Sequence, residues 1–118
     1  VNRQRAEAAG RRAEALAALL LRAKGYRILA RRWRCAAGEI DLVARRGRTV
    51  AFVEVKARPT RTAALLALTA QGRRRIERAA TAYQATRLRD LGLPVRFDLV
   101  SVANGLPRHH PDHWRPGS

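Results

Sequence analysis

The strongest constraint on the fold is a pair of short runs, Gly38 to Ala44 and Thr49 to Ala57, that flank the polar turn Arg45-Arg46-Gly47-Arg48. Both runs are rich in Val, Ile and Phe and carry polar residues at alternate positions, the period of a β-strand. They predict a hairpin. With Gly47 and Arg48 at the centre of the turn, Asp41 falls opposite Glu54 and Glu39 opposite Lys56, so these four side chains share one face. The opposite face carries Ile40, Leu42, Val53 and Val55 and is the predicted core. Val43 and Phe52 then sit beside the acidic pair on a face that is only partly apolar.

Two carboxylates directly opposite each other, with Cα atoms about 5 Å apart, repel unless they are protonated, solvated or bridged by a cation. A ligand set made of oxygen alone selects a hard ion, Mg²⁺ or Mn²⁺, of the kind that binds together with phosphate oxygens. Lys56 projects to the same side as Glu54 and is placed to orient water and offset negative charge on a phosphate. The same residues also suit a solvated sheet face in which Glu39 and Lys56 pair across the strands. A Glu-x-Lys run alone does not separate the two.

The remaining elements surround this hairpin. Arg3 to Lys24 reads as a helix stopped by Gly25, and Tyr26 to Trp33 as a strand in which Leu29 breaks the alternation. Pro59 ends the second hairpin strand, and a connector with a helical turn near Ala63 to Leu68 leads to Thr69. That threonine is placed to cap a helix reaching about Leu91, with Ile76, Ala80 and Tyr83 on its buried stripe. Gly92 and Pro94 close it, and Val95 to Val102 is a last strand. The predicted order is α-β-β-β-α-β, a mixed α/β (α+β) fold with a mixed central sheet flanked by helices. One domain over residues 1–104 is followed by an irregular tail over 105–118.

Charge narrows the partners. The chain of 118 residues has 25 Lys and Arg against 9 Asp and Glu, a formal net charge of +16. Nucleic acid is the natural partner, because each phosphate neutralised releases condensed counterions. An anionic membrane fits less well, since the charge is scattered and not gathered on one amphipathic helix. The apolar run Ala15 to Leu21, bounded by Glu14 and Arg22, is too short to span a bilayer and has no cleavage pattern. The single Cys35 implies a reducing compartment, and a cytoplasmic location is expected. His109, His110 and His113 are interrupted by Pro111 and lack a completing carboxylate or cysteine set, which argues against zinc. Trp33 and Trp114 suit either stacking on bases or packing at the core's edge.

The runs Gly38-Glu39-Ile40-Asp41-Leu42 and Phe52-Val53-Glu54-Val55-Lys56 resemble the PD-(D/E)xK signature. Together with Gly10, Glu14, Gly25-Tyr26, Arg96-Phe97-Asp98 and His110 to Trp114, they make nearly the whole chain similar to the YraN family of small bacterial proteins. The resemblance implies a restriction-endonuclease-like fold and a Mg²⁺- or Mn²⁺-dependent nuclease. A structure such as a junction or flap is one expected kind of substrate, and DNA is expected ahead of RNA, although the sequence decides neither. It implies Asp41 and Glu54 as metal ligands, Glu14 and the Val55 carbonyl as accessory ligands, and Lys56 as the group that assists water. Gln71 stands where the resembling proteins often have lysine; it offers a phosphate a hydrogen bond but no charge, so a second cation would have to come from Arg73 or Arg74.

Arg31, Arg34, Arg73, Arg74 and Arg78 are expected to border the site and contact phosphates, and Glu39 to hold Lys56 in position. The rival function is a nucleic-acid-binding protein that keeps the fold without catalysis. A basic ribonucleoprotein component would call for a disordered arginine-rich chain, which the well-patterned hairpin opposes. The sequence contains no base-reading motif and is compatible with a homodimer.

Overall fold

A computed structural model describes residues 2–89 and 91–117; Val1, Asp90 and Ser118, which fall in the predicted domain, long helix and tail, lie outside them. Helix α1 (Asn2–Ala23) is followed by strands β1 (Arg27–Cys35), β2 (Gly38–Arg46) and β3 (Thr49–Ala57). Helices α2 (Arg61–Leu66) and α3 (Ala70–Tyr83) come next, then strands β4 (Val95–Ala103) and β5 (Leu106–Trp114). The predicted order is present, with one strand added at its end. The five strands lie in sequence order, with β3 and β4 parallel and every other neighbouring pair antiparallel.

The helix ends are set locally. Gly25, at φ +92, lets Tyr26 N–H reach the Leu21 carbonyl at 2.9 Å and Gly25 N–H reach that of Arg22 at 3.0 Å, a Schellman stop. Thr60 caps α2, its Oγ1 accepting from Ala63 N–H at 3.1 Å, and Thr69 caps α3 through Gly72 N–H at 3.0 Å. Near the end of α3, Thr81, Gln84 and Thr86 donate to the carbonyls of Glu77, Ala80 and Ala82. These bonds compete with the main-chain pattern. The helix widens into a π-helical turn, Gln84–Leu88, and does not run on to Leu91.

Both faces of the sheet are covered. Ala13, Ala17, Ala18 and Leu21 of α1 pack on Leu42, Ala44, Ala51, Val53 and Val100; three of the four are alanines, so the helix approaches the strands closely. On the other side Ile76, Ala79, Ala80 and Tyr83 of α3 meet Val43, Val50, Phe52, Phe97 and Leu99. The face predicted to be only partly apolar is thus a second core. Ile40 and Leu42, expected on one face, belong to opposite cores. Alternation breaks at Asp41, where the facing residue of β1 is Arg32 at φ 49 between the Arg31–Leu42 and Trp33–Ile40 pairs.

The described part of the expected tail over 105–118 is not irregular. Leu106–Trp114 is a strand paired with β4, and Trp114 is buried against Phe97, its indole nitrogen donating to Glu77 at 2.9 Å. Pro107 and Pro111 hide this strand in the sequence, but an edge strand needs partners on one side only and tolerates proline. Beneath it Asp98 is fully buried and accepts from Arg96 at 2.7 and 2.8 Å, from His109 Nε2 at 2.7 Å and from Asp112 N–H at 2.9 Å.

Candidate active site

The hairpin register is as predicted as far as the ladder extends, from Arg46–Thr49 to Leu42–Val53, and there β2 and β3 part. Beyond that point β3 pairs only with β4, through Lys56–Ser101 and Ala57–Val102. The ladder bond that Val55 N–H has lost is replaced by a side chain: it donates to Asp41 Oδ2 at 2.8 Å. Asp41 therefore faces β3 because the main chain of β3 has a donor to satisfy.

Asp41, Glu54 and Lys56 line a cleft of about 280 Å³ together with Glu39, Thr69, Gly72 and Arg75. Burial pushes the Glu54 carboxyl up to about 9, and the neighbouring Asp41 carboxylate adds to the shift, while Lys56 and Val55 N–H pull the other way. Two carboxyls this close disfavour the charge on Glu54. Gly38 brings α3 to this edge, since a Cβ on it would lie 2.9 Å from the Arg75 carbonyl oxygen.

Other sequence expectations are corrected here. Glu39 does not pair with Lys56; it sits opposite Arg34 in the β1–β2 ladder and accepts from Arg34 Nε at 3.2 Å. Gln71 is exposed on the first turn of α3 and is not among the residues lining the cleft, whereas Arg75, one turn on, is. Arg74 and Arg78 line a different groove, with Glu77, Val95 and Phe97. Arg31 is exposed and lines neither cleft at the acidic pair; Arg73 lines neither, and its charge is felt at His113. Trp33 packs edge-on against Tyr83, with centroids 5.2 Å apart, as part of the core.

A second cleft, of about 370 Å³, opens on the α1 side of Asp41 and is lined by Glu7, Glu14, Arg32, Arg34 and Glu39. Helix α1 thus delivers Glu14 to the neighbourhood of Asp41. Its carboxylate is tied to Arg32 Nε at 2.6 Å. Among the described residues no group of three or more His, Cys, Asp or Glu is assembled to hold a metal. The donor set still fits a hard divalent ion that keeps several waters: two neighbouring carboxyls lining one cleft, and the Val55 peptide beside them.

The description "Uncharacterised protein family UPF0102" matches residues 13–102. Among curated relatives, UPF0102 protein amb4503 of Paramagnetospirillum magneticum is 55% identical over 117 residues, covering 95% of this chain and 91% of the relative. UPF0102 protein Mmar10_3014 of Maricaulis maris is 53% identical over 116 residues, covering 98% and 91%. A UPF0102 protein of Parvibaculum lavamentivorans is 53% identical over 108 residues, covering 91% and 81%.

Proposed function

The chain belongs to the uncharacterised protein family UPF0102, and for it we propose a metal-dependent phosphodiesterase activity on nucleic acid, with a restriction-endonuclease-like arrangement centred on Asp41, Glu54 and Lys56. The observation that carries the reading is the gathering of the Asp41 and Glu54 carboxyls with Lys56 and Arg75 in one cleft, Asp41 being fixed there by Val55 N–H. A half-buried acid pair of this kind costs stability unless a cation or a proton offsets the repulsion.

Asp41, Glu54 and the Val55 carbonyl would hold Mg²⁺ or Mn²⁺, which when bound polarises a phosphate oxygen and makes water a stronger nucleophile. The chain's own part is positioning. Val55 N–H fixes the Asp41 carboxylate, Lys56 orients water and balances negative charge that develops on the phosphate, and Arg75 draws the phosphate into the cleft. A formal charge of +16 brings the strand to this surface.

The Glu14–Arg32 ion pair favours a second reading, a nucleic-acid binder without catalysis, because it occupies the carboxylate that would complete the ligand set. Calorimetry with Mg²⁺ and Mn²⁺, run beside cleavage assays on single-stranded, duplex and branched DNA, separates the two. Metal binding that Asp41→Asn and Glu54→Gln each abolish, together with cleavage, supports the phosphodiesterase. Absence of metal binding even with DNA present leaves the binder.

A further inference from the structure

On the α3 side of the sheet, a row of nitrogen donors runs from the cleft toward β5 that the phosphodiesterase reading does not use. Lys56 is the register partner of Ser101 across the parallel β3–β4 pair, and neighbouring strands lie about 4.8 Å apart. Ser101 is fully buried, yet its hydroxyl serves two side chains at the surface. Arg61 Nη1, from the first residue of α2, donates to Ser101 Oγ at 2.7 Å. Ser101 Oγ and His110 Nε2 lie 2.8 Å apart; with Nε2 as acceptor of the hydroxyl hydrogen, neutral His110 carries its own hydrogen on Nδ1 as a further donor. The His113 ring follows, its centroid 6.0 Å from that of His110. Burial and then the Arg73 charge hold His113 below its usual value, so Arg73 of α3 lies within electrostatic reach of the ring.

The acids of the chain are spent elsewhere. All but Asp90 of the nine Asp and Glu are described. Glu7, Glu14, Glu39, Asp98 and Asp112 pair with Arg3, Arg32, Arg34, Arg96 and Arg115. Glu77 takes the Trp114 indole, Asp41 takes Val55 N–H, and Glu54 lies beside Asp41 in the cleft. Among the described residues no carboxylate forms an ion pair with Lys56, Arg61 or Arg73. A solvated arginine needs no buried hydroxyl to steady it, and ordering a long side chain costs entropy. A guanidinium held in place without an acid suits an anion that arrives from outside.

We propose that Arg61, steadied by Ser101, forms with Arg73, His110 and His113 a phosphate-binding subsite that seats a DNA backbone phosphate beside the one on which the Asp41–Glu54–Lys56 cleft acts. The identity of the ligand as DNA rests on the phosphodiesterase reading. The donor set itself is independent of it.

The test is fluorescence anisotropy of short labelled single-stranded and duplex oligodeoxynucleotides over a series of salt concentrations, with an oligoribonucleotide of the same sequence beside them and Mg²⁺ calorimetry on each variant. Arg61→Ala is expected to weaken DNA binding about tenfold and to flatten the log–log salt slope by about one unit. Arg61→Lys keeps the slope and recovers only part of the affinity, because an ammonium lacks the guanidinium fork. Ser101→Ala weakens binding with the slope unchanged, since it removes a support and no charge. Mg²⁺ binding is as in the wild type for all three.

Wild-type affinity and slope in both Arg61→Ala and Arg73→Ala would overturn the subsite while leaving metal binding and cleavage standing. Loss of DNA binding in Arg61→Ala, in a protein that neither binds Mg²⁺ nor cleaves, would keep the subsite and overturn the phosphodiesterase. Tighter binding of the oligoribonucleotide would overturn the assignment to DNA.

Discussion

Where β2 leaves β3, the Asp41 carboxylate accepts the Val55 N–H bond that a ladder carbonyl would otherwise take, and the same group helps to raise Glu54. Asp41→Asn keeps an oxygen acceptor and is expected to keep the fold, whereas Asp41→Ala leaves Val55 N–H without a partner and costs about 1–3 kcal/mol by urea denaturation. Burial first, and Asp41 second, raise Glu54 from 4.5 to about 9. An acid raised in the folded state stabilises fully below its unfolded value and loses that contribution as the pH climbs through its folded value. The wild-type melting temperature should therefore fall between pH 4.5 and about 9, and Glu54→Gln should remove most of that decline. Added Mg²⁺ should raise the wild-type melting temperature in the upper part of this range and leave Glu54→Gln unmoved. Lys56→Ala is expected to retain Mg²⁺ binding by calorimetry and to lose about 100-fold or more in cleavage rate.

Among the elements, β5 joins the sheet to α1 and α3 at once. Its Trp114 fills the α3-side core beside Phe97, and its His109 reaches through to Asp98 on the α1 side. Burial alone would raise the Asp98 carboxyl, but bonds from Arg96, His109 and Asp112 N–H outweigh it and bring the group down to about 2. The sign is opposite to that of Glu54: the Asp98 contribution is present above its ordinary value of 3.8 and is lost as the pH falls toward 2. Asp98→Ala strands the half-buried Arg96 and is expected to cost about 3–5 kcal/mol at neutral pH, measured by urea unfolding. That penalty should shrink in acid, where the wild type loses the same ion pairs. The Arg96-Phe97-Asp98 run, part of the resemblance, thus belongs to the scaffold.

For the molecule as a whole, the charge of +16 is unevenly useful. Arg34 and Arg75 line the two clefts that meet at Asp41, whereas Arg74 and Arg78 border a separate groove. Charge reversal of Arg34 and Arg75 should therefore weaken DNA binding and flatten its salt dependence more than reversal of Arg74 and Arg78 does. Anisotropy titrations at several salt concentrations compare the two pairs. Equal losses would mean that the strand spans both surfaces.

Much of this was legible because it is local. Alternating side chains and a Gly-Arg turn set the β2–β3 register, Gly25 and Thr69 set helix ends, and the positions of Asp41, Glu54 and Lys56 on neighbouring strands follow from the same pattern. What the tertiary structure decided depends on contacts between distant segments. The switch of Ile40 to the α3-side core, the capture of Glu39 by Arg34 and of Glu14 by Arg32 all require β1, whose twist at Arg32 has no sequence period. Whether Gln71 or Arg75 faces the cleft is a matter of how α3 is rotated when Ile76, Ala79, Ala80 and Tyr83 bury themselves on the sheet. The last strand, too, is ordered by β4 and α3, because its prolines and histidines give it no propensity of its own to pair.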